Sequence, residues 1–304
     1  MRKQAVIGAA TLALAVGTAG FVAAHDDGES SSAISTQSGG TAAGLPQASG
    51  DRLVAVGLTG DQRLVRFRVD RPGVVLPLGK VSGLRGDTKL VGIDFRVQNN
   101  TLYGVGDKGG IYTLREAGAK ATKVSQLTVA LQGQSFGVDF NPAANRLRVI
   151  SDTGQNLRHN LDDPAGAPAA GTTAVDGTLT NPPVPPATTG TTATGVTGAA
   201  YTNNDLDATT ATTLFDLDSA QDQVSIQSPA NAGNLAPAGR TGVDVPGDAG
   251  FDIYSSAKSG TNSGYAVTGS RVLRIDLLTG KATVTGGFPQ GRQVVDLAIP
   301  LKQG

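Results

Sequence analysis

SFGVDFNPAANRLRVISDTGQNL, residues 135–157, is the stretch whose reading decides the fold. Two β-rich runs, Phe136–Phe140 and Arg146–Ser151, flank Asn141-Pro142-Ala143-Ala144-Asn145, a set of residues that turns a chain and cannot continue a strand. Asp152-Thr153-Gly154 then makes a second tight turn and launches a third run at Asn156. The unit is therefore an antiparallel meander.

Working outward, variants of this unit recur on both sides. The first strands of successive units read Gly92-Ile93-Asp94-Phe95, Gly137-Val138-Asp139-Phe140, Gly198-Ala199-Ala200-Tyr201, Gly250-Phe251-Asp252-Ile253 and Val294-Val295-Asp296-Leu297. Their third positions fall at 94, 139, 200, 252 and 296, in steps of 45, 61, 52 and 44 residues. A 40–50-residue period with four strands per unit is the pattern of β-propeller blades. The long 61-residue step holds a Pro- and Thr-rich insertion, Asn181–Thr194, and no run shows sustained helical periodicity.

The unequal ends fit a ring. The first set supplies three strands, Leu53–Leu58, Arg63–Val69 and Val74–Leu78, and one strand, Gln293–Ile299, is left over at the C-terminus. Pairing Gln293–Ile299 with Leu53–Leu58 completes a blade and removes the open sheet edge that a solenoid would keep. The sequence thus predicts an all-β protein, a β-propeller of five blades of four antiparallel strands, closed by its terminal strands. Other expected strands include Thr173–Leu179 and a poorer one near Asn234–Gly239.

Composition agrees. The 304 residues include 42 glycines and no Trp, which suits short strands and many turns. Lys plus Arg and Asp plus Glu number 25 each, so no net field points to nucleic acid or an anionic membrane. The absence of Cys removes disulfides, thiolate chemistry and Cys-based metal sites. Only Glu29 and Glu116 are glutamates; the other 23 acids are Asp, a residue that turns chains by hydrogen-bonding nearby backbone.

Ahead of the repeats, Arg2 and Lys3 precede an uncharged run, Ala5–Val22, and Val22-Ala23-Ala24 has the small residues of a cleavage site. Residues 1–24 are expected to be a signal peptide, leaving no stable membrane span after cleavage. Residues 25–50, rich in Ser, Gly and Ala, bury too little to offset ordering entropy and read as a disordered linker. The propeller occupies 51–304. The expected location is secreted or in the cell envelope.

Catalytic motifs are scarce. Outside the leader the histidines are His25, in the linker, and His159, which reads as a solvated surface residue flanked by Arg158 and Asn160. A nucleophile–His–acid triad lacks its parts, and a zinc site lacks ligands. Glycoside hydrolysis needs paired carboxylates, one with a raised pKa; Glu29 lies in the linker and Glu116 in an outer turn, leaving Asp. The Gly104–Gly110 run sits between strands and not before a helix, so it is a hairpin turn and not a phosphate loop. Asp205-Leu206-Asp207 and Asp216-Leu217-Asp218 lack the Gly and distal Glu of a calcium loop.

The segments LVGIDFRVQNNTLYGVGDKGGIYTL (90–114), SFGVDFNPAANRLRVISDTGQNLRHNL (135–161) and TGAAYTNND (197–205) resemble the bacterial family catalogued as domain of unknown function 4394. The resemblance implies an exported protein with a propeller-like β fold over roughly residues 51–300. It carries no established activity and hence no catalytic residues.

One constellation remains. Asp94, Asp139, Asp252 and Asp296 hold the same position in four of five inner strands, which line the central channel of a propeller. They are the candidate ligand-binding and metal-binding residues: converging carboxylates repel one another unless a cation compensates, and Ca2+ is the hard cation that would do so. The competing expectation is that each Asp accepts hydrogen bonds from backbone N–H groups of the next blade, repeating because the blade repeats. The expected function is a binding or scaffold module for a protein or glycan, with no nucleic-acid partner. The alternative is a glycosidase- or lactonase-like hydrolase using the inner-strand aspartates with Ca2+.

Overall fold

The computed structural model describes residues 52–207 and 209–303. The expected signal peptide and linker lie outside the described residues.

Five four-stranded antiparallel sheets form the blades. Blade 1 contains β1 (Val54–Thr59), β2 (Arg63–Arg68), β3 (Arg71–Lys80) and the C-terminal β22 (Val294–Ala298). Blade 2 runs β4 (Leu90–Arg96), β5 (Thr101–Gly106), β6 (Gly110–Arg115) and β7 (Lys120–Gln126). Blade 3 runs β8 (Phe136–Asn141), β9 (Arg146–Ser151), β10 (Asn156–His159) and β11 (Thr173–Val175). A two-stranded hairpin, β12 (Thr180–Asn181) with β13 (Thr191–Thr192), precedes blade 4. Blade 4 runs β14 (Val196–Tyr201), β15 (Leu214–Asp218), β16 (Gln223–Gln227) and β17 (Leu235–Arg240). Blade 5 runs β18 (Ala249–Ser255), β19 (Asn262–Thr268), β20 (Arg271–Ile275) and β21 (Ala282–Gly287). No α-helix occurs among the described residues.

The ring closes as the repeat count demands. β22 pairs antiparallel with β1, setting Val56 opposite Ala298, Gly57 opposite Leu297 and Leu58 opposite Asp296. The Gln303 side chain fastens the joint by donating to Val54 O and accepting from Val54 N, both at 2.8 Å. Leu297 packs in the apolar cluster shared with blade 5, and Ala298 in the one shared with blade 2. One short strand therefore serves two seams.

Alternation along each strand builds the seams between blades. Leu58 and Leu64 of blade 1 meet Ile93, Leu102 and Leu114 of blade 2. Tyr103, Val105 and Ile111 of blade 2 meet Phe140, Leu147 and Val149 of blade 3, with the Tyr103 and Phe140 rings edge-on at 5.2 Å. Phe67 and Phe288 make a perpendicular pair at 4.8 Å between blades 1 and 5. Each large side chain so buried contributes about 1.5–3 kcal/mol.

Two local readings change. The strand expected at Thr173–Leu179 stops at Val175, because the next residue, Asp176, takes Arg148 and Arg158 with its carboxylate, leaving Leu179 to lead into the hairpin. The insertion is thus not simple loop: β12 and β13 close it, and Leu179 and Ala193 pack between blades 3 and 4.

Candidate functional site

The inner strands β4, β8, β14, β18 and β22 approach one another closely around the axis, and the Gly-x-Asp repeat explains how. A Cβ on Gly92 would lie 2.4 Å from Val138 of the next blade, on Gly137 2.7 Å from Ala199 N, on Gly198 2.8 Å from Phe251, and on Gly250 2.4 Å from Asp296. Glycine is there because the next inner strand occupies the space a side chain would need.

Two residues on, the aspartates bond across the same joints. Asp296 accepts from Ile93 N at 2.7 Å, Asp94 from Phe140 N at 2.8 Å, Asp139 from Tyr201 N at 3.3 Å, and Asp252 from Ile299 N at 2.6 Å. Each donor belongs to the following blade. Asp94, Asp252 and Asp296 also accept from the N–H of the residue after themselves. Ala200 stands at the fifth position, so blade 4 sends no such bond to blade 5.

All four aspartates are buried, and Asp94, Asp139 and Asp252 each bring an oxygen within 4.8 Å of the others. Burial, reinforced by the Asp252 charge, holds the Asp94 carboxyl well above the usual range; burial and then the charges of Asp94 and Asp252 do the same to Asp139. Burial also raises Asp296 strongly, and raises Asp252 to about 6 against the opposing pull of its N–H donors. The cluster therefore keeps protons at pH values where exposed carboxylates have lost them. Chemically it can share those protons, and its spacing also suits a hard cation.

The channel differs at its two ends. Where the inner strands begin, a cavity of about 90 Å³ is lined by all five blades, including Val91, Phe136, Thr197, Ala249 and Val295. Where they end, a hollow of about 410 Å³ opens among the residues following four of them: Val97, Asn203–Leu206, Ser255–Ala257 and Leu301–Lys302. Asn204 fixes its wall by donating to Ile253 O and to Ser255 Oγ. Leu206 is 65 % exposed at the rim, and side-chain amides, hydroxyls and the Lys302 ammonium supply the polar contacts. Asp205 and Asp207 use carboxylate oxygens on local N–H groups of their own loop.

His159 is not the solvated residue its neighbours suggested. It is fully buried between blades 2 and 3, where its ring bonds Ser125 Oγ at 2.9 Å and Thr173 Oγ1 at 3.0 Å. Burial lowers its pKa to about 4, so the imidazole is neutral at pH 7. Glu116 sits in an outer turn as expected and pairs with Arg66 at 2.5 Å.

Sequence reasoning missed the seam between blades 3 and 4. Arg148, 2 % exposed, donates to Asn156 Oδ1 at 2.7 Å, Asp176 Oδ2 at 2.6 Å, Asn231 Oδ1 at 2.8 Å and Tyr201 Oη at 3.2 Å. Asp216 in β15 is fully buried with neither carboxyl oxygen hydrogen-bonded; burial drives its pKa well up, although the Arg148 charge pulls the other way. The signal available was the Arg146-Leu147-Arg148 alternation, which also fits a strand with a solvated face.

No curated protein matches the chain. Among solved structures, the fold is similar to a chain of a nidogen/laminin complex at 11% identity, covering 83% of this chain and 99% of that one, with a TM-score of 0.46. An auxiliary nutrient binding protein from Bacteroides thetaiotaomicron is 11% identical over 82% of this chain and 61% of its own, with a TM-score of 0.43. A protein of unknown function from the same organism is 14% identical over 84% and 68%, with a TM-score of 0.44. At such scores these likenesses carry no weight for function. The family model described as domain of unknown function (DUF4394) matches residues 63–298, and the chain belongs to that family.

Proposed function

We propose that the protein is an exported binding propeller of the cell envelope or extracellular space, taking a protein or glycan ligand in the hollow at the ends of its inner strands. The observation that carries this reading is the pairing of a 410 Å³ polar-and-apolar hollow with a channel whose carboxylates are already engaged. Its Asn and Ser groups suit hydroxyls or peptide amides, and Leu206 and Leu301 suit an apolar face. The expected leader, Arg2 to Ala24, supports export.

The hydrolase reading draws on the clustered, proton-retaining aspartates. Against it, a general acid must reach its substrate, whereas Asp94, Asp139 and Asp252 are buried and hold backbone N–H groups.

The test is a glycan and peptide array probed with the folded protein, with Leu206→Asp and Ser256→Arg as hollow-blocking variants and a parallel panel of glycosides and lactones. Ligand capture that both variants abolish is the expected result. Turnover on the panel that is lost in Asp94→Asn would replace binding with catalysis.

A further inference from the structure

The even total of 25 cations and 25 acids conceals an uneven distribution. Residues 52–126, which make β1–β3 and all of blade 2, hold thirteen Lys and Arg against six Asp and Glu. Residues 127–303 hold ten against fifteen. The molecule is neutral in sum and basic on one side.

Part of that surplus converges on the outer rim where blades 1 and 2 join. Lys80 ends β3 and stands opposite Arg63; Ser82, two residues on, pairs in parallel with Lys120 at the start of β7, and Lys120 stands opposite Arg115. Bonds from Gly118 N to Leu78 O and from Ala121 N to Ser82 O, both 2.8 Å, hold the two rims together. Two residues of strand and one inter-strand step place the Lys80 and Lys120 backbones roughly 8 Å apart. Arg115 and Lys120 flank a groove of about 330 Å³ whose other walls include Thr101, Thr113 and Thr122. Lys80, Arg115 and Lys120 are exposed and make no ion pair among the described residues, whereas Arg63 and Arg66 are matched by Asp61 and Glu116.

We propose that this joint rim is a docking surface for a base-free polyanion of repeating phosphates, of the inorganic polyphosphate kind, separate from the channel-mouth hollow. The Arg115 fork and the two ammonium groups would hold successive phosphates, with the groove threonines donating further hydrogen bonds. A second copy of the chain is a poorer complement, because the acids of blades 3 to 5 are largely occupied. Asp162 and Asp163 pair with Arg96 and Arg146; Asp176 pairs with Arg148 and Arg158. Asp276 caps turn N–H groups, and Asp139, Asp216 and Asp252 are buried.

The experiment titrates the propeller with long-chain inorganic polyphosphate across a salt series. It compares wild type with the rim triple Lys80→Gln, Arg115→Gln, Lys120→Gln and with a blade 5 triple, Lys258→Gln, Arg271→Gln, Lys281→Gln. Equal melting temperatures certify that both triples fold. Removing three phosphate contacts should weaken binding about a hundredfold near 0.1 M salt and flatten the log–log salt slope by about 2, with the blade 5 triple unchanged. The proposal is overturned by no binding near 50 mM salt or by equal losses in both triples. It is also overturned by tighter binding of a single-stranded oligonucleotide of matched charge, or by low-salt self-association that the rim triple abolishes.

Discussion

Strand β9 faces two seams at once. On one side Leu147 and Val149 pack with Tyr103, Val105 and Ile111 of blade 2. On the other, Arg148 reaches into Tyr201, Asn156, Asp176 and Asn231, beside a carboxyl on Asp216 that nothing bonds. The first seam is apolar and tolerant of small shifts. The second depends on every polar partner being present, since a buried group left unpaired loses its hydration without return. At the axis the contrast repeats: Asp139 reaches blade 4 through a 3.3 Å bond, where its counterparts span 2.6–2.8 Å, and blade 4 offers Ala200 in return. At the seam of blades 3 and 4 these directional bonds act beside an apolar cluster that includes Ile150, Val196, Ala199 and Leu214.

The largest effect should come from opening the apolar ring. Deleting Gly291–Gly304 removes β22 and with it Leu297 and Ala298 from two seams, exposing β1 as a long edge. Loss of cooperative melting, or aggregation on size-exclusion chromatography, is expected; a monomer with an unchanged melting temperature would show that the closure carries little.

Next comes the polar seam. Arg148→Met strands the acceptors of Asn156 and Asn231, leaves the Asp176 carboxylate to Arg158 alone, and should cost about 3–5 kcal/mol in urea unfolding. Leu147→Ala, one residue away on the apolar side, should cost about 2–5 kcal/mol. Adding Asp176→Asn should recover part of the Arg148→Met loss, because a buried carboxylate left with only one of its two arginines goes with it, and should recover nothing in Leu147→Ala.

A smaller effect separates the two environments by pH. His159 between blades 2 and 3 has its pKa lowered from 6.5 to about 4, so its contribution is present above pH 6.5 and is lost as pH falls toward 4. Asp252 has its pKa raised from 3.8 to about 6, so its contribution is present below pH 4 and is lost as pH rises through 6, about 3 kcal/mol in all. The two oppose each other over the same window. Against the fall with rising pH that the raised Asp94, Asp139, Asp216 and Asp296 share, Asp252→Asn should therefore make the slope from pH 4 to 6.5 more positive than in the wild type, and His159→Gln should make it more negative. Urea midpoints at three pH values check both slopes, and equal slopes in the two variants would contradict the assignment.

The blades were legible because their causes are local and repeated. Gly92, Gly137, Gly198 and Gly250 mark where inner strands crowd, and turns such as Asn141–Asn145 punctuate the meander. The aspartate register was legible for the same reason, including its use as an acceptor for the next blade. Arg148 and His159 were not, since each sits on a strand whose alternation fits a solvated face equally well. Their burial is decided by what another blade brings opposite: Tyr201 and Asn231 for one, Ser125 for the other. The β12–β13 hairpin was hidden by a Pro- and Thr-rich composition that reads as loop, although Leu179 and Ala193 anchor it.

The central claim is that the repeated Asp couples four of the five inner strands to the next through carboxylate-to-backbone bonds. Melting of the wild type and of the Asp94→Asn, Asp139→Asn double variant, each in millimolar Ca2+ and in EDTA, tests it most directly. An amide keeps one of the two acceptor oxygens that Asp94 uses for Phe95 N and Phe140 N, so the double variant should lose about 1–3 kcal/mol per site equally in both buffers, with wild-type melting indifferent to Ca2+. A wild type that melts several degrees higher in Ca2+ than in EDTA, with the difference abolished in the double variant, would contradict the claim and make the ring a calcium site.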